Sequence, residues 1–223
     1  MNKPHIICHM EMSLDGRIDC DMTENLPGGN EYYEILDSFH GDAMVSGKIT
    51  AILHMADEGL FENNDSPINK LDVFKGNTHK PYEVVMDTKG TLLWDNYAEK
   101  NDLIVVTSEQ ASKDYLSYLK QLGISYIAVG RKKIDLIKTV KILKEQFDVN
   151  TLLVVGGGHI NASFLKEGLI DEISILLGAG IDGREKMTSV FDGLEMDQKL
   201  TKLHLLEVKK MDELVYLRYK VIW

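Results

Sequence analysis

The chain has 223 residues, of which 44% are hydrophobic and 27% charged, so a packed globular core is expected. Its formal net charge of −10 argues against a general nucleic-acid-binding protein, whose surface would be basic, but leaves room for a small anionic ligand held by a local basic patch. The two cysteines, Cys8 and Cys20, lack metal-ligand spacing, so we expect no metal site. The sequence shows neither a signal-peptide pattern nor the roughly 20-residue apolar run that spans a bilayer. We therefore expect a soluble cytoplasmic protein with no membrane partner.

The first half of the chain alternates between strand and helix patterns. It is predicted to contain, in chain order, a buried strand at 5–12, a loop at 23–29, a helix from an Asn30 cap to about Phe39, a strand at Ala43–Ser46 and a helical segment that follows Gly47–Thr50. Residues 57–81 are polar and lack periodicity, so they are expected to form an insertion loop or a lid.

The second half is more regular. Its predicted elements are strands at Glu83–Asp87, Leu103–Thr107 and Ser125–Val129, helices capped by Ser108 and Asp135, and two long C-terminal strands at Lys202–Val208 and Leu214–Trp223 joined by the turn KKMDE. This order predicts an α/β fold with a mostly parallel sheet and a C-terminal antiparallel hairpin. Because no repeat or linker interrupts the pattern, residues 1–223 are expected to form one domain.

The most informative segment is 152–183, LLVVGGGHINASFLKEGLIDEISILLGAGIDG. An apolar run, Leu152–Val155, ends in Gly156–Gly158; an amphipathic segment closed by Gly168 and a second apolar run follow. This pattern predicts strand, glycine turn, helix and strand. Glycines let a backbone approach a ligand closely, and a helix N-terminus suits a phosphate. A tight turn that binds no ligand is the alternative.

The glycine turn does not match a standard nucleotide motif. A GxGxxG fingerprint that starts at Gly156 would need glycine where Asn161 stands, and no Lys-Ser/Thr pair follows as in a P-loop. A nucleotide would therefore bind here in another manner.

Two other turns carry candidate ligand contacts. Gly130 and the three cations of Arg131–Lys133 follow a predicted strand, where they form either a site for a phosphate such as the 2′-phosphate of NADPH or an ordinary solvated turn. Ser13, Asp15 and Gly16 follow the first strand. A carboxylate there can orient a substrate or relay a proton, although Asp-Gly is also a common turn pair.

Two histidines differ in their expected roles. His9 and Glu11 lie on one face of the first strand, and a histidine in an apolar strand is typical of a hydrogen-bonded core residue. His159 directly follows the glycines and is the better candidate for a ligand contact.

Taken together, the motifs resemble a known family. The segments SLDGRI, SGKIT, YEVVMDTKG, LIVVTSE, LLVVGGGHINASFLKEGLIDEI and GAGIDG occur in the same order as in the reductase domain of bacterial riboflavin biosynthesis. That domain is similar in fold to dihydrofolate reductase. The resemblance implies an NADPH-dependent oxidoreductase similar to 5-amino-6-(5-phosphoribosylamino)uracil reductase, which opens the ribose of a small-molecule substrate by hydride transfer and usually forms a homodimer.

The resemblance and the turns described above imply a set of site residues. The expected cofactor-binding residues are Gly47, Lys48, Ile49, Thr50, Asp87, Thr88, Thr107, Ser108, Arg131, Gly156, Gly157, Gly158, His159 and Ile160. The expected substrate-binding positions are Ser13, Asp15, Gly16 and Val155. Asp15 is expected to lie nearest the chemistry, and Glu11 is the second candidate catalytic residue.

The chain also departs from the family pattern. Val155 stands where the family usually has a substrate-holding glutamate, and ILHMADEGLFENND contains neither the family's Asp-Pro segment nor its arginine. We also do not expect the deaminase domain that often precedes the reductase. Two alternatives therefore stay open: a diverged reductase of another carbonyl, imine or pterin-like substrate, and a non-catalytic NADPH-binding sensor.

Overall fold

Strands and helices alternate in the computed structural model, which describes residues 2–18, 20–62, 65–100 and 102–223 apart from the side chains of Cys20 and Ala98. The strands are β1 (His5–Met12), β2 (Ala43–Gly47), β3 (Asp72–Phe74), β4 (Tyr82–Met86), β5 (Leu103–Thr107), β6 (Ser125–Ala128), β7 (Thr151–Val154), β8 (Glu172–Leu177), β9 (Lys202–Met211) and β10 (Leu214–Ile222). The α-helices are α1 (Cys20–Thr23), α2 (Gly29–Ser38), α3 (Lys48–His54), α4 (Lys113–Gln121), α5 (Leu136–Gln146) and α6 (Gly158–Lys166), and Ala98–Lys100 forms a 3-10 turn. Within the described ranges, no helix has both the length and the apolar surface needed to cross a bilayer.

The chain forms two compact units, unit 1 (Met1–Pro4 and Asp42–Asn150) and unit 2 (His5–Gly41 and Thr151–Trp223). The strand order is β3-β6-β5-β4-β2 in unit 1 and β7-β1-β8-β10-β9 in unit 2. Most neighbours are parallel, whereas β3 and the β9–β10 hairpin are antiparallel. The predicted α/β class with its C-terminal hairpin is confirmed, and the single-domain organisation stays a prediction.

Two central strands of unit 1, β5 and β6, are buried on both faces. All of Leu103–Thr107 is buried, as is all of Ser125–Ala128, and these two strands pair in parallel. Helix α4 places Tyr115 and Leu119 against this sheet, within a cluster that includes Trp94. A strand buried on both faces is expected to be apolar throughout, which is why β5 and β6 are visible in the sequence.

The stretch 57–81 contains a strand that the sequence did not predict. Asp72–Phe74 pairs antiparallel with β6 and forms an edge of the unit 1 sheet. The prediction of an insertion loop is wrong for these residues. Three residues are too few to show an alternating pattern, so only the pairing partner reveals this strand.

One of the two helix caps predicted for unit 1 is confirmed, and the other is formed by a different serine. Asp135 caps α5, as predicted, and accepts a hydrogen bond from the Lys138 N–H at 3.0 Å. Ser108 was predicted to cap α4, but Ser112 occupies that position and accepts from the Tyr115 N–H at 3.0 Å. Both serines have suitable side chains, and Ser108 instead donates to the Thr88 carbonyl at 2.7 Å.

In unit 2, α2 begins earlier than predicted. Gly28, with φ of 128°, is its N-cap, and Asn30 lies in the first turn, so the predicted Asn30 cap is wrong. The helix covers one face of β1, where the His9 ring stacks on Tyr32 with ring centroids 4.5 Å apart. Burial lowers the pKa of His9 to about 4, so it is a neutral core residue at pH 7.

The C-terminal hairpin is longer than the sequence pattern indicated. Strand β9 extends to Met211, which pairs with Leu214, so the turn consists of Asp212 and Glu213. Asp212 adopts a φ of 51°, a conformation that aspartate tolerates better than most residues. The predicted charged turn KKMDE is therefore mostly strand, because paired backbone extends through Lys209 and Lys210 to Met211.

The first residue of α6 is held close to the segment that follows residue 187. A Cβ on Gly158 would lie 2.2 Å from the carbonyl oxygen of Ser189 and 2.9 Å from Cβ of Asp192. The Asp192 N–H also donates to the Gly158 carbonyl at 3.1 Å. Glycine at this position is thus required by the protein's own packing.

We expect Gly158→Ala to lower the free energy of unfolding by about 1–3 kcal/mol, because the new methyl group overpacks a backbone contact. Gly29→Ala is the matched control: Gly29 also begins a helix, but a Cβ there meets nothing within 4 Å. Its effect should stay within about 0.5 kcal/mol. Urea unfolding of both variants measures the difference, and equal losses would contradict this account of Gly158.

Candidate functional site

The predicted cofactor-binding segments of unit 1 lie along one edge of its sheet. Strands β2, β4, β5 and β6 are parallel, and the register aligns their ends, with Gly47 opposite Met86 and Thr107 opposite Ala128. The segments that begin at Lys48, Asp87, Ser108 and Gly130 therefore all follow strand ends at the same edge. In open α/β sheets this is the edge at which ligands bind.

Lys48 and Asp87 form an ion pair at this edge. Lys48 Nζ lies 3.5 Å from Oδ1 of Asp87, whose side chain is only 1% exposed, and it also hydrogen-bonds the Thr91 hydroxyl. The other Asp87 oxygen accepts from the N–H groups of Thr91 at 2.5 Å and Leu92 at 2.9 Å. Asp87 thus holds the 87–92 turn in place and draws the Lys48 ammonium onto it.

Three further predicted residues bond to each other. The hydroxyls of Thr107 and Ser108 both donate to the Thr88 carbonyl, at 3.1 and 2.7 Å. The side chains of Thr107 and Ser108 are therefore occupied by hydrogen bonds within this edge. Ile49, by contrast, is 77% exposed.

The basic turn after β6 is solvent-exposed. Gly130, with φ of 92°, fits here because a Cβ would lie 2.1 Å from the Lys133 carbonyl oxygen. Its N–H donates to a Glu109 carboxylate oxygen at 3.2 Å. Arg131, Lys132 and Lys133 are exposed, and their cationic groups can reach an anion in solvent.

In unit 2, the strands that lead into the predicted site segments end at two different heights along the strand direction. Val154, the last residue of β7, pairs with Cys8, whereas Met12, the last residue of β1, pairs with Leu177 at the end of β8. At ~3.3 Å per residue, β1 therefore extends roughly 13 Å beyond β7. The glycine turn lies on the lower level, and the turns after β1 and β8 lie together on the upper one.

The glycine turn has the geometry of an anion site at a helix N-terminus. Gly157 is the N-cap of α6, with φ of 60°, and it has no side chain with which to cap the helix. A Cβ on Gly157 would meet nothing within 4 Å, so the space beside it can admit a ligand. Val155 is half-buried and Gly156 buried at the end of this strand. The residues fit a phosphate group such as that of a dinucleotide.

His159 and Ile160 follow on the first turn of α6. The His159 ring lies against Gly193, where a Cβ would be 2.5 Å from Nδ1, and the residue is otherwise exposed. The Ile160 N–H donates back to the Gly157 carbonyl at 3.0 Å. His159 is therefore the more available of the two for a ligand contact.

Asp15 binds the loop that follows β8. Its Oδ1 accepts from the Ser13 hydroxyl at 2.7 Å and from the Asp182 N–H at 3.0 Å, and its Oδ2 accepts from the Gly183 N–H at 3.0 Å. The Leu14 N–H also donates to the Gly180 carbonyl at 2.7 Å. These bonds, that from Ser13 above all, hold the pKa of the Asp15 carboxyl well below its usual range. At neutral pH, Asp15 is a carboxylate suited to positioning this loop.

The sequence did not single out Asp182 and Gly183 as partners of Asp15. The sequence feature that could have indicated them is the GAGIDG segment, which ends in an Asp-Gly pair like that of the turn after β1. The loop borders an apolar groove of about 580 Å³, lined by Leu14, by Leu177–Ile181 and by Glu213 and Val215 of the hairpin. Residue patterns alone did not reveal this concave apolar surface.

Glu11 is in a different environment from Asp15. Its Oε1 is buried without a hydrogen-bond partner among the described residues. Burial, followed by the negative charge of Glu31, raises the pKa of Glu11 to about 7. Gly28 allows this arrangement, because a Cβ there would lie 3.0 Å from Glu11 Oε1.

Comparison with known proteins places these features in a family. The family model of the RibD C-terminal domain matches residues 4–217. The 2,5-diamino-6-ribosylamino-4(3H)-pyrimidinone 5′-phosphate reductase of Aquifex aeolicus is 25% identical, covering 92% of this chain and 90% of its own length. The enzyme of the same name from Archaeoglobus fulgidus is 24% identical over 95% of both chains.

Solved structures share the fold. Acinetobacter baumannii RibD matches with a TM-score of 0.72 and 20% identity, over 100% of this chain and 59% of that one. Riboflavin Biosynthesis Reductase Rib7 of Saccharomyces cerevisiae matches with a TM-score of 0.66 and 20% identity, over 100% of this chain and 91% of that one.

The motif order, the fold and the family match agree, and the resemblance predicted from the sequence is confirmed. The relatives quoted at nearly full length carry the name of a reductase. The chain belongs to the RibD C-terminal domain family of riboflavin-biosynthesis reductases.

Proposed function

We propose that this protein is an NADPH-dependent reductase that acts on a ribosylaminopyrimidine phosphate of riboflavin biosynthesis. The observation that carries the proposal is the family match over residues 4–217. It is supported by relatives named as pyrimidinone phosphate reductases, whose length this chain covers almost completely. The reaction adds a hydride and a proton to the ribosylamino group and leaves an open ribityl chain.

In unit 2, the glycine turn is proposed to bind the phosphates of the cofactor. The open space beside Gly157 and the uncapped N-terminus of α6 support this assignment. His159 and Ile160, on the first turn, are proposed to line the same site. When bound, the reduced nicotinamide supplies the hydride from its C4 position.

In unit 1, the aligned strand ends are proposed to contact the cofactor as well. Gly47–Thr50 and the turns at Asp87–Thr88 and Thr107–Ser108 lie along one edge, and most of their polar side chains are held by internal bonds. A preorganised edge of this kind binds a ligand at a lower entropic cost.

The substrate is proposed to contact the turn after β1, where Ser13, Asp15 and Gly16 lie. Asp15 acts there as a positioning residue, since its oxygens already hold Asp182 and Gly183. Val155 is the remaining position assigned to the substrate, and its apolar side chain can make only van der Waals contacts with it.

Steady-state oxidation of NADPH in the presence of 2,5-diamino-6-ribosylamino-4(3H)-pyrimidinone 5′-phosphate tests the function. We expect a kcat on the order of 1 s⁻¹ or faster, within the usual enzymatic range. The deaminated uracil analogue should be run in parallel. Failure to oxidise NADPH with either compound would contradict the proposal.

A second candidate is a related reductase of a less polar carbonyl, imine or pterin-like substrate. Two observations favour it: the apolar groove of about 580 Å³ and the half-buried Val155 in place of a carboxylate. A panel of such substrates, assayed under the same conditions, separates the candidates by kcat/KM.

We expect the basic turn to determine the preference for NADPH. Neutralising Arg131, Lys132 and Lys133 together should raise the Kd for NADPH roughly tenfold, the equivalent of about 1.4 kcal/mol, and leave the Kd for NADH nearly unchanged. A triple neutralisation of Lys70, Lys113 and Lys141 is the control of equal charge. Equal effects on both cofactors would show that the cluster is ordinary surface charge.

We also propose a cytoplasmic homodimer formed through β9. This strand is an edge of the unit 2 sheet, and it exposes Leu205 by 48% and Val208 by 57%. Long exposed apolar edges are normally covered by a partner. Light scattering should give a dimer mass for the protein and a monomer mass for Leu205→Lys, whereas Leu71→Lys, on unit 1, should remain dimeric. A monomeric wild type would contradict the proposal.

A further inference from the structure

Glu11 lies near the end of β1 and faces α2. Its register partner on β8 is Leu176, one residue before the end of that strand, so the carboxyl is close to the edge where both strands stop. On β1 it shares a face with His9, which α2 covers. Glu11 thus projects into the space between the sheet and the first turn of α2.

The structure leaves room for this carboxyl without giving Oε1 a bond. Among the described residues this buried oxygen has no hydrogen-bond partner. A Cβ on Gly28 would lie 3.0 Å from it and 2.8 Å from a methyl group of Leu214, so any other residue at position 28 would displace one of them. A buried oxygen without a partner costs free energy unless a ligand supplies one.

The groups that face Glu11 disfavour its ionised form. Glu31 on α2 is negatively charged, and His9 on β1 is neutral at pH 7 because burial lowers its pKa to about 4. Tyr216 of β10 is uncharged at this pH because burial raises the pKa of its phenol, and Tyr32 of α2 packs in the same region. Burial and Glu31 raise the pKa of Glu11 to about 7, the range that suits a proton donor at neutral pH.

Asp15, the nearby alternative, cannot play this part. Its two oxygens already accept hydrogen bonds from Ser13, Asp182 and Gly183, and these bonds stabilise the carboxylate. A carboxyl with a pKa far below neutrality carries almost no proton to donate at pH 7.

We propose that Glu11 is the catalytic acid of the reduction, an assignment that rests on the proposed function. The ribosylamine carbon accepts the hydride supplied by the reduced nicotinamide, its bond to the ring oxygen breaks, and the ring oxygen takes the Glu11 proton to become a hydroxyl group. The carbon is reduced, the nicotinamide is oxidised, and Glu11 regains a proton from solvent.

The pH dependence of kcat/KM tests the assignment. Because the protonated form is active, the rate should fall as the pH rises above about 7, the pKa of Glu11. Glu11→Gln should lower kcat by roughly 10²–10⁴-fold and remove this limb of the profile. Glu31→Gln should keep the limb but move it to lower pH, because a neighbouring negative charge is lost.

Glu83→Gln is the matched control. Burial, followed by the charge of Asp102, raises the pKa of Glu83 to about 7 as well, but this residue lies in unit 1, near the N-terminal end of β4. Its variant should retain the limb. Carbon-13 NMR of the glutamate carboxyls gives a readout independent of activity: one resonance that titrates near pH 7 should disappear in Glu11→Gln and another in Glu83→Gln.

The possible results distinguish a failure of the proposed function from a failure of the Glu11 assignment. A wild-type protein that binds no nicotinamide and reduces no candidate substrate contradicts the proposed function. An active wild type whose Glu11→Gln variant keeps both its rate and its pH limb overturns the assignment of Glu11 alone. The same conclusion follows if no resonance lost in Glu11→Gln titrates near neutrality.

Discussion

The hydrogen bonds between Asp15 and the loop after β8 are the constraint on which the upper edge of unit 2 depends. Two turns that are far apart in sequence are joined because one carboxylate accepts from both Asp182 and Gly183. The Leu14 N–H strengthens the junction by binding the Gly180 carbonyl. Leu14 and Gly180, which this last bond joins, line part of the apolar groove. A carboxylate that is stabilised by its donors is well suited to this structural work and poorly suited to proton transfer.

The environments of two nearby carboxyls push their pKa values in opposite directions. Asp15 is surrounded by donors, whereas Glu11 is partly desolvated and faces the negative charge of Glu31. Such a divergence is how enzymes assign separate roles to chemically similar side chains at one pH. Both residues lie in one short stretch of sequence, MEMSLDG, but the difference between their pKa values is produced by α2 and by the loop after β8.

The glycine turn combines two requirements in adjacent residues. Gly158 is needed because Ser189 and Asp192 approach its backbone, and Gly157 is needed because its φ of 60° leads into α6 and leaves open space at the helix N-terminus. Packing therefore holds the helix start in place on one side while the other side stays available to an anion. A pattern of three glycines does not distinguish these roles, since the neighbours of Gly158 come from a segment some thirty residues downstream.

The sequence by itself determined the α/β order, most strand positions and the family, because buried strands are apolar throughout and the turn motifs are local. It could not determine which of Ser108 and Ser112 caps α4, where α2 begins, or that Asp72–Phe74 is a strand, since each depends on a partner far away in the chain. The candidate site also depends partly on local sequence and partly on distant segments. Asp15 and the glycines were visible as residues. Only the tertiary structure decided that the Asp15 carboxylate is held by several donors, while one Glu11 oxygen has no hydrogen-bond partner within the described part of the chain. Hydrogen-bond partners and desolvation are properties of the space around a side chain, and that space is made by segments that the local sequence does not contain.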